Sequence, residues 1–218
     1  DGEEHAAFRA VIDRFFTAEA LAELEPRLRD VARRIVAGLP RGEVTDVVGG
    51  MGTRYAVQAM LAWLGWEPDL EEELVEWVAD NAAATRSGEI ERTRAVAEHF
   101  DEIIVGVLRP RLERLDEPAR DVTDQLLRQQ VQGRSLQHPE LVSILRNWTG
   151  GDLGSLALCI GVIIHQLAAF PALLRDLRSR LGDAEATNRA IDEFLRIDDP
   201  FVSNRRITTR ATELAGAS

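Results

Sequence analysis

The chain has 218 residues, 45% of them hydrophobic and 29% charged, enough for one buried core and a soluble surface. Its formal net charge of -11 opposes nucleic-acid phosphates and anionic membranes, so neither is expected as a partner. Cys159 is the only cysteine, which excludes an intramolecular disulfide and a multi-cysteine zinc site and makes a reducing cytoplasm the expected compartment.

The acidic opening Asp1-Gly2-Glu3-Glu4-His5 lacks the basic-then-apolar order of a signal peptide, and the absence of an initiator methionine suggests a parent chain that is longer. From there apolar residues recur at three- and four-residue intervals, the period of amphipathic helices. The pattern predicts helices over about 4–14, 18–38, 52–65, 70–85, 89–114, 119–131, 139–171, 172–181 and 187–197. Breakers such as Pro40-Arg41-Gly42, Ser87-Gly88, Gly133-Arg134-Ser135 and Gly182-Asp183 fall between them. Asp69 with Glu72 has the spacing of a capping box and predicts a helix start there. The β-branched Ile207-Thr208-Thr209 predicts a short C-terminal strand. No repeat or flexible linker divides the chain, so 1–218 reads as a single, mainly α domain.

A helix over 139–169 would be about 46 Å long and form the central axis of the fold. Its second half, Leu156 to Ile164, is apolar on all faces and so calls for other helices around it. The longest apolar run, Leu156 to Phe170, is too short for a membrane span and contains His165 and Gln166. Within the axis, Gly150, Gly151 and Gly154 surround Asp152, and each glycine costs a helix interior about 1 kcal/mol relative to alanine. Two readings remain open: small residues that let two helices cross closely, or a ligand groove cut into the axis. Asp152 favours the groove, because an acid near the middle of a buried helix needs a partner, water or a role.

The segment Arg146-Asn147-Trp148-Thr149-Gly150-Gly151-Asp152-Leu153-Gly154-Ser155 resembles the central, oxygen-binding helix of the cytochromes P-450, the haem-thiolate monooxygenases. The family's usual acid-threonine pair is absent. The resemblance implies Asp152 and Ser155 as the catalytic proton-delivery pair beside haem, with Gly150 and Gly151 lining the cofactor; a register placing Leu153-Gly154 there instead would leave the relay to water. Ile191-Asp192-Glu193-Phe194-Leu195-Arg196, followed by Pro200 and Asn204-Arg205-Arg206-Ile207-Thr208-Thr209, resembles the family's Glu-x-x-Arg helix and the strand after it. This implies a buried structural ion pair between Glu193 and Arg196, and Arg206 on a haem propionate, where a planar fork of donors suits a carboxylate. At the start, His5 and Arg9 resemble the family's His-x-x-x-Arg pair, which reaches the other propionate, followed by Phe15-Phe16-Thr17 as the step into the next helix.

Ala59 to Trp66 and Arg146 to Thr149 are similar to a soluble bacterial subgroup, some of whose members are fused to a reductase. The resemblance as a whole implies a partial cytochrome P-450-like helical fold with a long central helix. It also implies haem as cofactor, O2, a small apolar organic substrate to be hydroxylated, and a ferredoxin- or flavin-type reductase, possibly fused, as electron donor. The family's Phe-x-x-Gly-x-x-x-Cys-x-Gly loop is not in this sequence. Cys159 stands outside that motif and reads as a small buried hydrophobe. No metal site is assigned, since His99, His138 and His165 fall on different predicted elements. Two other readings stand beside this one: a catalytically silent, haem-free helical binding protein of the same fold, and an unrelated all-helical regulator.

Overall fold

The computed structural model describes residues 2–200 and Glu213. Among them the chain is mostly helical, with α1 (Glu3–Asp13), α2 (Ala18–Gly38), α3 (Thr53–Leu64), α4 (Glu71–Ser87), α5 (Ile90–Leu112) and α6 (Val122–Leu127) preceding a hairpin. After the hairpin come α7 (His138–Thr149), α8 (Asp152–Ala169), α9 (Pro171–Ser179) and α10 (Ala184–Ile197). The ends have local causes. The Thr17 hydroxyl accepts from the Ala20 N–H at 3.3 Å and caps α2. Gly65, at φ +72, closes α3 in the left-handed region where a Cβ would be penalised. Asp46 receives the N–H groups of Val48 and Gly49 at 3.0 and 2.9 Å and starts a π-helical turn, Val47–Gly52, that leads into α3.

The chain resolves into two units, Asp1–Gly161 and Val162–Ser218. In the first, α3, α4, α5 and α7 supply a continuous apolar core that includes Leu64, Leu74, Phe100, Ile104, Leu108 and Leu145. An aromatic group of Phe15, Phe16, Trp63 and Trp148 joins the end of α1 to α3 and α7, with ring centroids 5.2 to 5.6 Å apart. The second unit holds α9 and α10. There Asp183 caps α10 through the Ala186 N–H at 2.9 Å, and Gln166 donates to the Asp198 carboxylate.

A buried ionic node fastens one end of the first unit. Arg111 is only 5% exposed; Nη1 donates to Val107 O at 3.1 Å, and Nη2 to Asp121 Oδ2 at 3.1 Å and to Gly65 O. Its Nε lies 3.3 Å from Asp124 Oδ1 without hydrogen-bond geometry, and Arg114 Nη2 reaches the same oxygen at 3.4 Å. Beside it the Trp66 indole donates to Thr123 Oγ1 at 3.0 Å, and that hydroxyl donates to Leu64 O at 2.7 Å. The node thereby locks together the C-terminal ends of α3 and α5 and the start of α6.

Several expectations need correction. The axis is not one helix but two, interrupted at Gly150-Gly151, where the sequence weakens it most. The capping box at Asp69 and Glu72 does not form, because Glu72 pairs with Arg54 of α3 at 2.8 Å. The chain between α6 and α7 forms β1 (Gln130–Val131) and β2 (Arg134–Ser135), an antiparallel hairpin turned by Gln132 at φ 50 and Gly133 at φ 79. Glu140 ties this hairpin to α7: Arg134 and the Gln137 N–H both donate to it, which brings its pKa down to about 2. The strand expected at 207–209 lies outside the described residues.

The apolar half of the axis is also not wrapped on all sides. Leu153 and Ala157 are buried, and a Cβ on Gly52 of the π-helical turn would come within 2.9 Å of Ala157 O, so close crossing of small residues operates here. Leu158 is 43% exposed, and Ile160 borders an apolar groove of about 280 Å³ with Val36 and Met51. His138–Ala169 taken together is long and apolar enough to cross a membrane by length and composition, a longer stretch than the run Leu156 to Phe170 on which a span was excluded. Leu141, Leu145 and Trp148 of α7 nevertheless belong to the buried core.

Removing a buried, multiply bonded cation leaves its carboxylates uncompensated. Arg111→Ala is therefore expected to lower stability by about 3 kcal/mol or more. Arg29→Ala, which breaks an exposed pair with Glu25, should cost less than about 1 kcal/mol, both variants being measured by urea titration.

Candidate functional site

The glycines at the interruption have a steric reason. A Cβ on Gly150 would sit 3.1 Å from Trp77 Cη2 and 3.3 Å from Phe100 Cε1. Those two rings, from α4 and α5, stack with centroids 4.2 Å apart and planes 28° from parallel. Trp77 is further held by its indole N–H, which donates to Val96 O at 2.9 Å. A Cβ on Gly151 would meet Asn147 O at 2.8 Å. Thr149 turns its hydroxyl back onto Leu145 O at 2.6 Å, which adds to the local weakening. Gly154 differs from both, since nothing lies within 4 Å of where its Cβ would be. The cluster thus divides, with Gly150 admitting an aromatic pair and Gly154 bordering open space.

Asp152 opens α8, and its carboxylate has no hydrogen bond or ion pair among the described residues. Partial burial raises its pKa above the ordinary 3.8. Ser155 Oγ approaches the backbone oxygens of Asp152 at 3.1 Å and Gly151 at 3.3 Å, so the hydroxyl is engaged by the helix and not by the Asp152 carboxylate. The expected acid and alcohol are neighbours on one helix without a direct hydrogen bond between their side chains.

On the α4–α5 side of the break lies a cavity of about 360 Å³. Its lining includes Trp77, Asn81, Phe100, Ser143, Asn147 and both Gly150 and Gly151. Arg146, on its edge, spans to Asp101 of α5 with a two-pronged contact, Nε to Oδ1 at 2.6 Å and Nη2 to Oδ2. Periodicity marks Trp77 and Phe100 as core but not as walls. The stripe Ser143, Asn147, Gly151, at four-residue steps on one helix face, is the signal that could have found this site.

The remaining expected site residues lie elsewhere. His5 and Arg9 are exposed on α1, and Arg9 pairs with Asp13 at 2.6 Å with both side chains over half exposed. Arg206 lies outside the described residues. Glu193 and Arg196 form the expected pair, bidentate at 2.7 Å for both contacts. It is not buried, as expected, but 52% and 69% exposed, because both residues sit on the polar face of α10, whose buried residue is Phe194. Arg196 holds the Glu193 carboxyl below its usual range.

Two substitutions separate the glycines. Gly150→Ala should cost about 2 kcal/mol by thermal denaturation, because two stacked rings and a carbonyl would have to move. Gly154→Ala should be neutral or stabilising by up to about 1 kcal/mol. Asp152 has its folded pKa above the unfolded one, so its charge opposes folding once pH exceeds both values. Asp152→Asn should therefore raise the melting temperature at pH 7, with the gain fading as pH falls through the raised pKa towards 3.8.

No family model matches the chain. Curated relatives do: it is 29% identical to an erythromycin C-12 hydroxylase of Saccharopolyspora erythraea over 99% of this chain and 54% of the relative. It is 25% identical to a pulcherriminic acid synthase of Bacillus subtilis and 27% to a cyclomarin C epoxidase of Salinispora arenicola, over 53% of each relative. Among solved structures, the open cytochrome P-450 EryK of S. erythraea superposes with a TM-score of 0.78 at 27% identity, covering 100% of this chain and 55% of that one. Ligand-free cytochrome P-450 TbtJ1 shares the fold at a TM-score of 0.78 and 23% identity. The chain spans about half the length of the curated relatives it matches. These likenesses, to about half the length of each relative, show a partial helical fold of the cytochrome P-450 type, and the chain is similar to that family; the family's cysteine haem-ligand motif does not occur in this sequence.

Proposed function

We propose that this chain is the central part of a cytoplasmic, haem-dependent monooxygenase, 1–218 forming one partial domain of it. The reading rests above all on one observation: the interrupted axis helix, with Asp152 beside it and open space at Gly154, in a chain similar to cytochromes P-450 over 99% of its length. Residues present fit the cofactor in two respects. Gly154 leaves room at the helix surface for a flat ligand. His5 and Arg9, one turn apart on α1, would supply donors for one propionate, Arg206 being the residue proposed for the other.

Bound haem would supply O2 activation, with its thiolate ligand coming from the half of the relatives' length that this chain does not match. The chain's own residues would do the rest. His5, Arg9 and Arg206 would orient the cofactor by charge-assisted hydrogen bonds. Gly151 and Gly154 would bring the helix backbone close to it, whereas Gly150, expected beside it, is taken up by the Trp77 and Phe100 rings. Asp152, with its pKa raised, is easier to protonate than an ordinary aspartate and would hold or release a proton at its carboxylate, Ser155 assisting through water. The substrate would be a small organic molecule whose apolar part takes the oxygen atom, and the electrons would come from a ferredoxin- or flavin-type reductase.

The complete gene product should turn red with haem and give the thiolate-type absorption shift when reduced under carbon monoxide. His5→Ala with Arg9→Ala should weaken haem retention at least tenfold. A normal fold with no haem uptake would sink the proposal in favour of a silent binding protein.

A further inference from the structure

The cavity beside the axis break is not the apolar chamber that a hydrocarbon substrate would prefer. One wall is aromatic: the Trp77–Phe100 stack, whose indole N–H is already engaged by Val96 O, presents ring surface and no free donor. The facing wall is polar. Ser143, Asn147 and Gly151 follow one another at four-residue steps along α7 and the break, and Asn81 of α4 faces the same space. Among the described residues, none of the Asn81, Ser143 and Asn147 side chains has a hydrogen-bond partner.

The chemistry of these groups narrows what they can recognise. Arg146 reaches Asp101 through Nε and Nη2, so the Asp101 carboxylate offsets its charge, and the Thr93 hydroxyl donates to Glu89 O; the wall therefore presents little net charge to an incoming anion. The groups without any hydrogen bond among the described residues are two carboxamides and a hydroxyl, uncharged groups that each both donate and accept. A carboxamide matches another amide group in kind, giving an N–H to a carbonyl and a carbonyl to an N–H. Apolar ligands would leave those groups facing them unpaired, which costs affinity. The volume, about 360 Å³, lies within the range of small-molecule sites.

We propose that this cavity binds an amide-bearing small molecule, a lactam or cyclic dipeptide with at least one aromatic or bulky apolar substituent. The ring system would lie on Trp77 and Phe100, and its backbone-type amide would pair with Asn147 and Asn81. This deepens the monooxygenase reading by naming its substrate class, and it rests on that reading only for the chemistry, not for the binding.

The test uses the complete gene product. Binding of cyclo(L-Phe-L-Phe) and of 1,4-dibenzylcyclohexane, which has the same outline but no amide, is followed by tryptophan fluorescence and calorimetry. The expected result is binding of the cyclic dipeptide at least tenfold tighter than the hydrocarbon. Asn147→Ala, at an exposed position that folding should tolerate, should weaken the dipeptide about tenfold and leave the hydrocarbon unchanged. Circular dichroism checks that the variant keeps its helices, and Asn81→Ala serves as a second variant should Asn147→Ala unfold. Equal or tighter binding of the hydrocarbon, no binding of the dipeptide, or dipeptide affinity indifferent to both variants would overturn the proposal. Dipeptide binding in a protein that fails the carbon monoxide test would leave this site standing and remove the monooxygenase reading alone.

Discussion

A Cβ at position 150 would press on the stacked rings of Trp77 and Phe100 at 3.1 and 3.3 Å, closer than ordinary contact, so the rings would have to give by a few tenths of an ångström. The fold resolves the conflict by placing glycine there, and most of what is distinctive about the first unit follows. The axis loses its hydrogen-bonded continuity between α7 and α8, and α4 and α5 come close enough to share the aromatic pair. The cavity opens along the same face, so the residue that permits the crossing also lines the site. The two readings of the glycine cluster are therefore complementary: close packing at Gly150, open space at Gly154.

At the far end of the same helices the restraint is ionic. Arg111 donates to Gly65 O at the end of α3 and to Val107 O one turn back on its own helix, and pairs with two aspartates at the start of α6, a placement that makes α6 an anchor despite its short length. Aromatic and apolar contacts hold the middle, where the groove is. This division matches the physics of burial: a charge can be sunk at helix ends, where carbonyls are unsatisfied, more cheaply than in the middle of a bundle.

Local signals in the sequence carried most of the helices. The bounds 18–38 follow directly from the Thr17 cap and the Gly38-Leu39-Pro40 stop. Non-local competition accounts for the misses. Asp69 and Glu72 have the spacing of a cap, but Arg54, from another helix, takes Glu72. The strands at 130–131 and 134–135 are too short for any alternation to register. For the site, glycines and Asp152 were legible because they violate helical preference, whereas Asn81 and Asn147 violate nothing and acquire meaning only when folding sets them across from Trp77 and Phe100. The pair Glu193–Arg196 was legible as a contact but not in its exposure, since three-residue spacing says which side chains meet and nothing about what covers them.

The central claim is that the axis is truly discontinuous at Gly150-Gly151. Backbone amide hydrogen exchange, read residue by residue along 141–160, addresses it without any ligand. The account predicts rapid exchange at Gly151, Asp152 and Leu153 between strongly protected amides around Leu145 and Ala157. Protection running uninterrupted through those positions would mean one unbroken helix and would contradict the account.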